Sequence, residues 1–177
     1  DLAAMGIGGR LFNFAFMPIY GIVMGSSTIV GQCLGAEDVD RAKDTAKYAA
    51  LLNFIMMSII SIIAIIFPRQ VMKIFIDDTN VIEVGKSMIQ IMVPALAVGG
   101  AAMGLASVFP GSGHNIPLLL SSLISRWGVQ VPLLYIVTRV LHLSVLYVWG
   151  SFIVADAVEM LIIFIAYKKG TWESKRV

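Results

Sequence analysis

Five stretches of the chain are almost unbroken in apolar residues, at about 2–34, 38–67, 81–109, 117–138 and 143–167. Each is long enough for a helix to cross a hydrocarbon layer of about 30 Å, which takes about 20 residues. Polar residues arrive in short bursts between them. The sharpest change falls after Gly35-Ala36, where four acids and two bases (Glu37, Asp38, Asp40, Asp44, Arg41 and Lys43) crowd into residues 36–44. So abrupt a change marks an exit from hydrocarbon into water. It fixes the first span and the register of those that follow. The expected fold is an all-α polytopic transmembrane helical bundle.

The pieces between spans refine this picture. The first segment exceeds what a crossing needs, so tilt, a kink at Pro18 or an emergent end must absorb the surplus. Gly31, Gln32, Gly35 and Ala36 are the candidate structural turn that closes it. Pro68 and Arg69 end the second segment. Residues 69–77 are too short to span; Val71, Ile74 and Phe75 share one face, which predicts a short interfacial helix. Asn80 and Glu83 have capping-box spacing at the head of the third span. Residues 110–115, PGSGHN, break the chain before Pro117 starts a new helix. TWESKRV after Lys168-Lys169-Gly170 reads as a polar tail.

Composition supports lipid as the solvent. Of 177 residues, 58% are hydrophobic and 14% charged, against about 25% charged in soluble domains. The net charge of +2, without clustered basic surface, argues against a nucleic-acid partner. The single cysteine, Cys33, allows no internal disulfide and reads as a small core residue. The chain starts at Asp1 with no signal-peptide pattern ahead of its first span, as a piece of a longer protein would. Basic residues set the expected direction. Arg41, Lys43, Lys47, Lys168, Lys169, Lys175 and Arg176 fall on one side; Arg69, Lys73, Lys86 and Arg139 fall on the other. The richer side is taken as cytoplasmic, which puts the N-terminus outside and the C-terminus inside.

Candidate chemistry lies where polarity is costly. Arg10, Arg126, Asp156 and Glu159 sit within apolar runs, and a charge at the bilayer centre costs roughly 2.5–3.5 kcal/mol. Arg126 and Glu159 each lie about nine residues from the cytoplasmic end of their helices, roughly 13 Å deep. Asp156 is one turn further in, on the face of Glu159. The expectation is that Arg126 pairs with Glu159 or Asp156. The pair either pins two helices together or presents a carboxylate to a coupling cation in a wet cavity. Arg10 is expected to snorkel. Asn13, Gln32, Asn53, Gln90 and Gln130 either make interhelical hydrogen bonds or line a path, with Gln130 beside Pro132 the best case for a path. The ten methionines and the aromatics would pack, or would suit a cavity for varied apolar cations. His114 and His142 fall on opposite sides, so they share no metal. The chain carries none of the common metalloprotease, nucleophile-elbow or phosphate-loop patterns, and an enzyme is not expected.

Several of these features occur in a familiar order. GIVMGSSTIVGQCLGAEDVDRA (21–42) is accompanied by Pro18, IFIDD, GSG-x-x-x-P, Arg126 with Pro132, and KKGTW. Together they resemble the C-terminal half of multidrug and toxic compound extrusion (MATE) transporters, over about residues 5–172. The resemblance implies a plasma-membrane, multi-pass protein. Residues 1–177 would form a partial C-terminal lobe, completed by an N-terminal lobe that this sequence lacks. The implied activity is efflux of small organic cations in exchange for Na⁺ or H⁺, by alternating access and with no bound cofactor. The five spans look like the eighth to twelfth helices. Some members bind Na⁺ through acids on the seventh and tenth. The seventh is absent here, and the tenth carries only Glu83 at its wet entrance. The implied pathway residues are Asp156, Glu159, Arg126, Gln130, Asn13 and Asn53. The alternatives are a lipid-linked precursor flippase of the same superfamily, and a non-transporting membrane scaffold subunit.

Overall fold

The computed structural model describes residues 2–73, 79–140 and 145–173; the side chains of 2–15, 72, most of 79–95, 140, 145, 146 and 149 fall outside that description. Every regular element among the described residues is helical. α1 (Leu2–Gly35), α2 (Val39–Ile66), α3 (Pro68–Lys73), α4 (Thr79–Ala106), α5 (Val108–Gly111) and α6 (Ile116–Leu123) are followed by a π-helical turn, Ile124–Gln130. Then come α7 (Val131–Tyr135), a second π turn, Ile136–Val140, and α8 (Val145–Lys169). Among the described residues, Phe16–Gly35, Val39–Ile66, Ile116–Arg139 and Gly150–Lys169 are long and apolar enough to span a bilayer, and Leu96–Gly111 is a shorter apolar helix. The expected third span, 81–109, corresponds to α4 and α5. Where a short interfacial helix is expected at 69–77, a short helix runs Pro68–Lys73; residues 74–78 lie outside the description, as does the expected Asn80–Glu83 capping box.

Small residues hold the centre together. The face of α2 that is buried runs Ala42, Ala46, Ala49, Asn53, Met57, Ser61, Ala64, in steps of three and four. Leu51, Leu52, Ile55, Ile59 and Ile62 point outward. In hydrocarbon apolarity does not mark the inside, and close approach of backbones does. α4 approaches that face so closely that a Cβ on Gly104 would overlap the backbone of Ala49 and Ala50. The hydroxyl of Ser61 donates to the Val93 carbonyl at 3.1 Å, inside the same interface.

At one end of the bundle three helices leave through a left-handed residue. After α1, Asp38 N–H bonds Cys33 O at 2.9 Å and Glu37 N–H bonds Leu34 O at 3.1 Å, a Schellman ending. Its left-handed residue is Glu37, at φ 61°, a conformation that costs a non-glycine residue roughly 1–2 kcal/mol. Asp38 then caps α2, its carboxylate accepting Arg41 N–H at 3.1 Å. Gly113 and Gly170, at φ 67° and 65°, make the corresponding turns after α5 and α8. The expected turn residues are thus distributed: Gly31 and Gln32 lie in the last turns of α1, Gly35 closes it and Ala36 opens the turn.

Residues 171–173 differ from the expected polar tail, and residues 174–177 lie outside the description. Trp172 is fully buried in a cluster that includes Val30, Leu34, Ala46, Phe109 and Ile163. Its ring stacks on Tyr167 with centroids 5.7 Å apart, and Nε1–H donates to the Tyr167 carbonyl at 3.3 Å. Glu173 reaches Lys43 at 2.9 Å. The left-handed turn at Gly170 folds the tryptophan back onto the helices, which a reading of local polarity could not show.

Candidate functional site

The helix that carries Arg126 is not regular. Pro132 has no N–H to donate, and its ring crowds the carbonyl one turn earlier. The backbone widens just ahead of it, with Val131 N–H reaching Arg126 O, five residues back. π turns of this kind are frequent at functional sites. Ser121 and Ser125, four residues apart and fully buried, let this helix lie close against α8, where Ser151 and Ala155 are buried in turn. The register brings Arg126 over the acids of α8.

Arg126 Nη2 lies 2.9 Å from Asp156 Oδ1 and 3.4 Å from Glu159 Oε2. Its Nη1 donates to Gln130 Oε1 at 3.1 Å. Ser125 Oγ donates to Glu159 Oε2 at 3.0 Å. One guanidinium therefore bridges two carboxylates, with an amide and a hydroxyl as supports. Charge-assisted bonds of this sort are about twice as strong as neutral ones. The cluster is half open: the side chains of Arg126, Asp156 and Glu159 are 45%, 36% and 23% exposed.

They open into a cavity of about 360 Å³. Its other walls include Phe16 and Tyr20 of α1, Met103 of α4, and Met160 and Ile163 of α8. The rings of Phe16 and Tyr20 are tilted against one another, centroids 6.4 Å apart. Two acids to one base, beside aromatic faces and thioethers, form a setting that attracts cations. No cluster of three or more His, Cys, Asp or Glu fit to hold a metal ion occurs among the described residues.

Arg126, Asp156, Glu159 and Gln130 thus come together. Asn53 does not join them. It is fully buried between α2 and α4, its carbonyl oxygen 3.0 Å from where a Gly100 Cβ would stand, and its side-chain amide has no hydrogen-bond partner. The side chains of Arg10, Asn13 and Glu83 lie outside the described residues. Ser125 was not foreseen as a site residue. Its signal is the Ser121–Ser125 step on the face of Arg126's helix that meets α8. Phe16 and Tyr20 were foreseen only as aromatics in general.

This architecture is that of a polytopic helical membrane protein with a charged cluster facing a half-open cavity. The MatE family model matches residues 1–136, and the chain belongs to the MatE family, whose members are transporters and not enzymes. It is 24% identical over 175 residues to the probable multidrug resistance protein YoeA of Bacillus subtilis (strain 168), covering 99% of this chain and 38% of that protein. It is 24% identical over 174 residues to the probable multidrug resistance protein NorM of Thermotoga maritima, covering 97% and 37%. It is 21% identical over 175 residues to protein DETOXIFICATION 29 of Arabidopsis thaliana, covering 99% and 35%. The chain spans less than two fifths of the length of these curated relatives.

Proposed function

We propose that this chain is part of the C-terminal lobe of a multidrug efflux transporter. It exports small organic cations in exchange for Na⁺ or H⁺, its lobes rocking about a cavity near the bilayer midplane. The observation that carries the reading is the Arg126–Asp156–Glu159 cluster, set in a cavity walled by Phe16, Tyr20, Met103 and Met160. Two carboxylates share one guanidinium, so the cluster keeps a surplus acid to which a coupling ion or a cationic substrate can bind. Gln130 and Ser125 hold Arg126 and Glu159 in place. The rest of the cavity wall comes from the N-terminal lobe, so the piece alone does not transport. The N-terminus of this chain lies outside and its C-terminus in the cytoplasm, with the polar end of the bundle at the inner face of the plasma membrane. A flippase for anionic lipid-linked precursors needs a cationic lining, which two acids to one base oppose.

The test is reconstitution of the full-length parent in vesicles, with efflux of a cationic dye followed under a Na⁺ or a proton gradient. One gradient drives efflux. Asp156→Asn and Glu159→Gln each lower it roughly tenfold or more, the worth of one hydrogen bond to a charged group. Absence of efflux under both gradients leaves the scaffold reading. Full efflux in both variants removes the cluster from the ion path.

A further inference from the structure

A second concavity lies on the other side of α8, away from the cluster. It is a groove of about 390 Å³ between α6 and the last turns of α8. One wall is Ile116, Leu120 and Ile124, and the other includes Ile162 and Ile165. The first three recur every four residues, so they form one aliphatic stripe about 12 Å long. Ile116, Leu120, Ile124 and Ile165 are all 45–61% exposed. At the polar end of the bundle the groove stops at Lys169, His114 and Thr171. Its body belongs to the spanning stretches Ile116–Arg139 and Gly150–Lys169, so it lies at acyl-chain depth with its cationic end at the membrane boundary.

The neighbouring lysines are engaged. Lys43 is held by Glu173 and Lys47 by Asp44, each at 2.9 Å, and Lys168 lies 4.9 Å above the ring of Phe164. Lys169 meets no carboxylate among the described residues. His114 is fixed at the groove mouth by its backbone, N–H to Phe109 O at 2.9 Å. A ligand that fits must be aliphatic along its length and anionic at one end, and must reach the groove from within the bilayer. Basic pockets between spanning helices bind anionic headgroups in this way. We propose that this groove is a binding site for one anionic phospholipid. An acyl chain lies along Ile116, Leu120 and Ile124, and the headgroup phosphate sits on Lys169 and His114. Membrane insertion is all that this requires; the efflux reading can fail without it.

The full-length protein, purified from vesicles of phosphatidylcholine with phosphatidylglycerol, is examined by native mass spectrometry for retained lipid. One phosphatidylglycerol is retained in preference to phosphatidylcholine, and added inorganic phosphate does not displace it. Lys169→Gln weakens retention roughly fivefold, the worth of one lysine at an anionic surface, and His114→Gln weakens it further. Leu120→Trp fills the groove without changing its charge and abolishes retention. Each variant's efflux and melting midpoint are measured alongside, so a misfolded variant is recognised. Equal retention of the two lipids overturns the proposal, as does undiminished retention in a folded Lys169→Gln or Leu120→Trp protein. Displacement by inorganic phosphate, or a segment of the full-length chain found covering the groove, also overturns it.

Discussion

Arg126 is the residue on which the cavity depends electrostatically. Its guanidinium contacts Asp156 and Glu159 from one nitrogen and Gln130 from the other. Arg126→Ala leaves two half-buried acids without their shared cation, and lowers the melting midpoint of the full-length protein in detergent. Arg126→Lys recovers only part of the loss, because an ammonium cannot reproduce the planar fork. The triple change Arg126→Ala, Asp156→Asn, Glu159→Gln recovers most of it, since no uncompensated charge remains. If the triple variant melts as low as Arg126→Ala, the single change acts by lost packing and not by charge. Asn53 is the converse case, a buried amide with neither atom partnered, where an unsatisfied group costs roughly 1–3 kcal/mol. Asn53→Ala leaves the melting midpoint unchanged or raises it; a clear drop means that the amide has a partner in the complete protein. At this scale charge is legible in sequence. A charge inside an apolar run is costly enough to demand an explanation, which is why Arg126, Asp156 and Glu159 could be singled out. Ser125 could not, because serine is tolerated throughout spanning helices.

Between residues and fold lie two elements whose geometry follows from single small or rigid residues. α2 and α4 meet backbone to backbone at Gly104, where any side chain strikes Ala49 and Ala50. Gly104→Leu therefore forces the helices apart and sharply reduces the yield of folded protein. Gly99→Ala is the control, since its added methyl meets only the flexible end of Met160, at 3.3 Å, and its yield is near normal. Equal yields would mean that the pair can separate at little cost. The π turn ahead of Pro132 is the second element. Pro132→Ala restores the missing donor and allows the turn to tighten by one residue, a rotation of about 100°. Arg126 then turns away from Asp156 and Glu159, and efflux falls although residue 132 does not line the cavity. Retained efflux would show that the wide turn is held by packing against α8 and not by the proline. Four stretches among the described residues are long and apolar enough to span, and the helical character of the apolar runs was legible in sequence. The buried face of α2 was not, because lipid-facing and core-facing positions are equally apolar. The π turn ahead of Pro132 was not, because it depends on how neighbouring helices pack around the proline.

Across the whole molecule, the turn at 36–38, the loop at 112–115 and residues 170–173 gather at one end around Trp172. In a cysteine-free background, cysteines placed at Glu37, Asn115 and Thr171 react with an impermeant thiol reagent only after the membrane is opened. One at Arg139 reacts from outside. The opposite pattern would invert the proposed orientation. Trp172 also accounts for the cohesion of this end. It contributes a fully buried ring to a cluster drawn from α1, α2, α5 and α8, although it lies beyond α8, where the sequence reads as a polar tail. Removing such a ring costs about 3–5 kcal/mol. The Lys43–Glu173 ion pair beside it is about one third exposed on both partners, and a pair of that kind is worth about 0–1 kcal/mol. In the full-length protein, Trp172→Ala lowers the detergent melting midpoint by several times the effect of Glu173→Ala, and Trp172→Phe lies between them. Equal small effects for Trp172→Ala and Glu173→Ala would mean that the tail merely rests on the bundle, and that the glycine turn at 170 serves the exit of α8 alone.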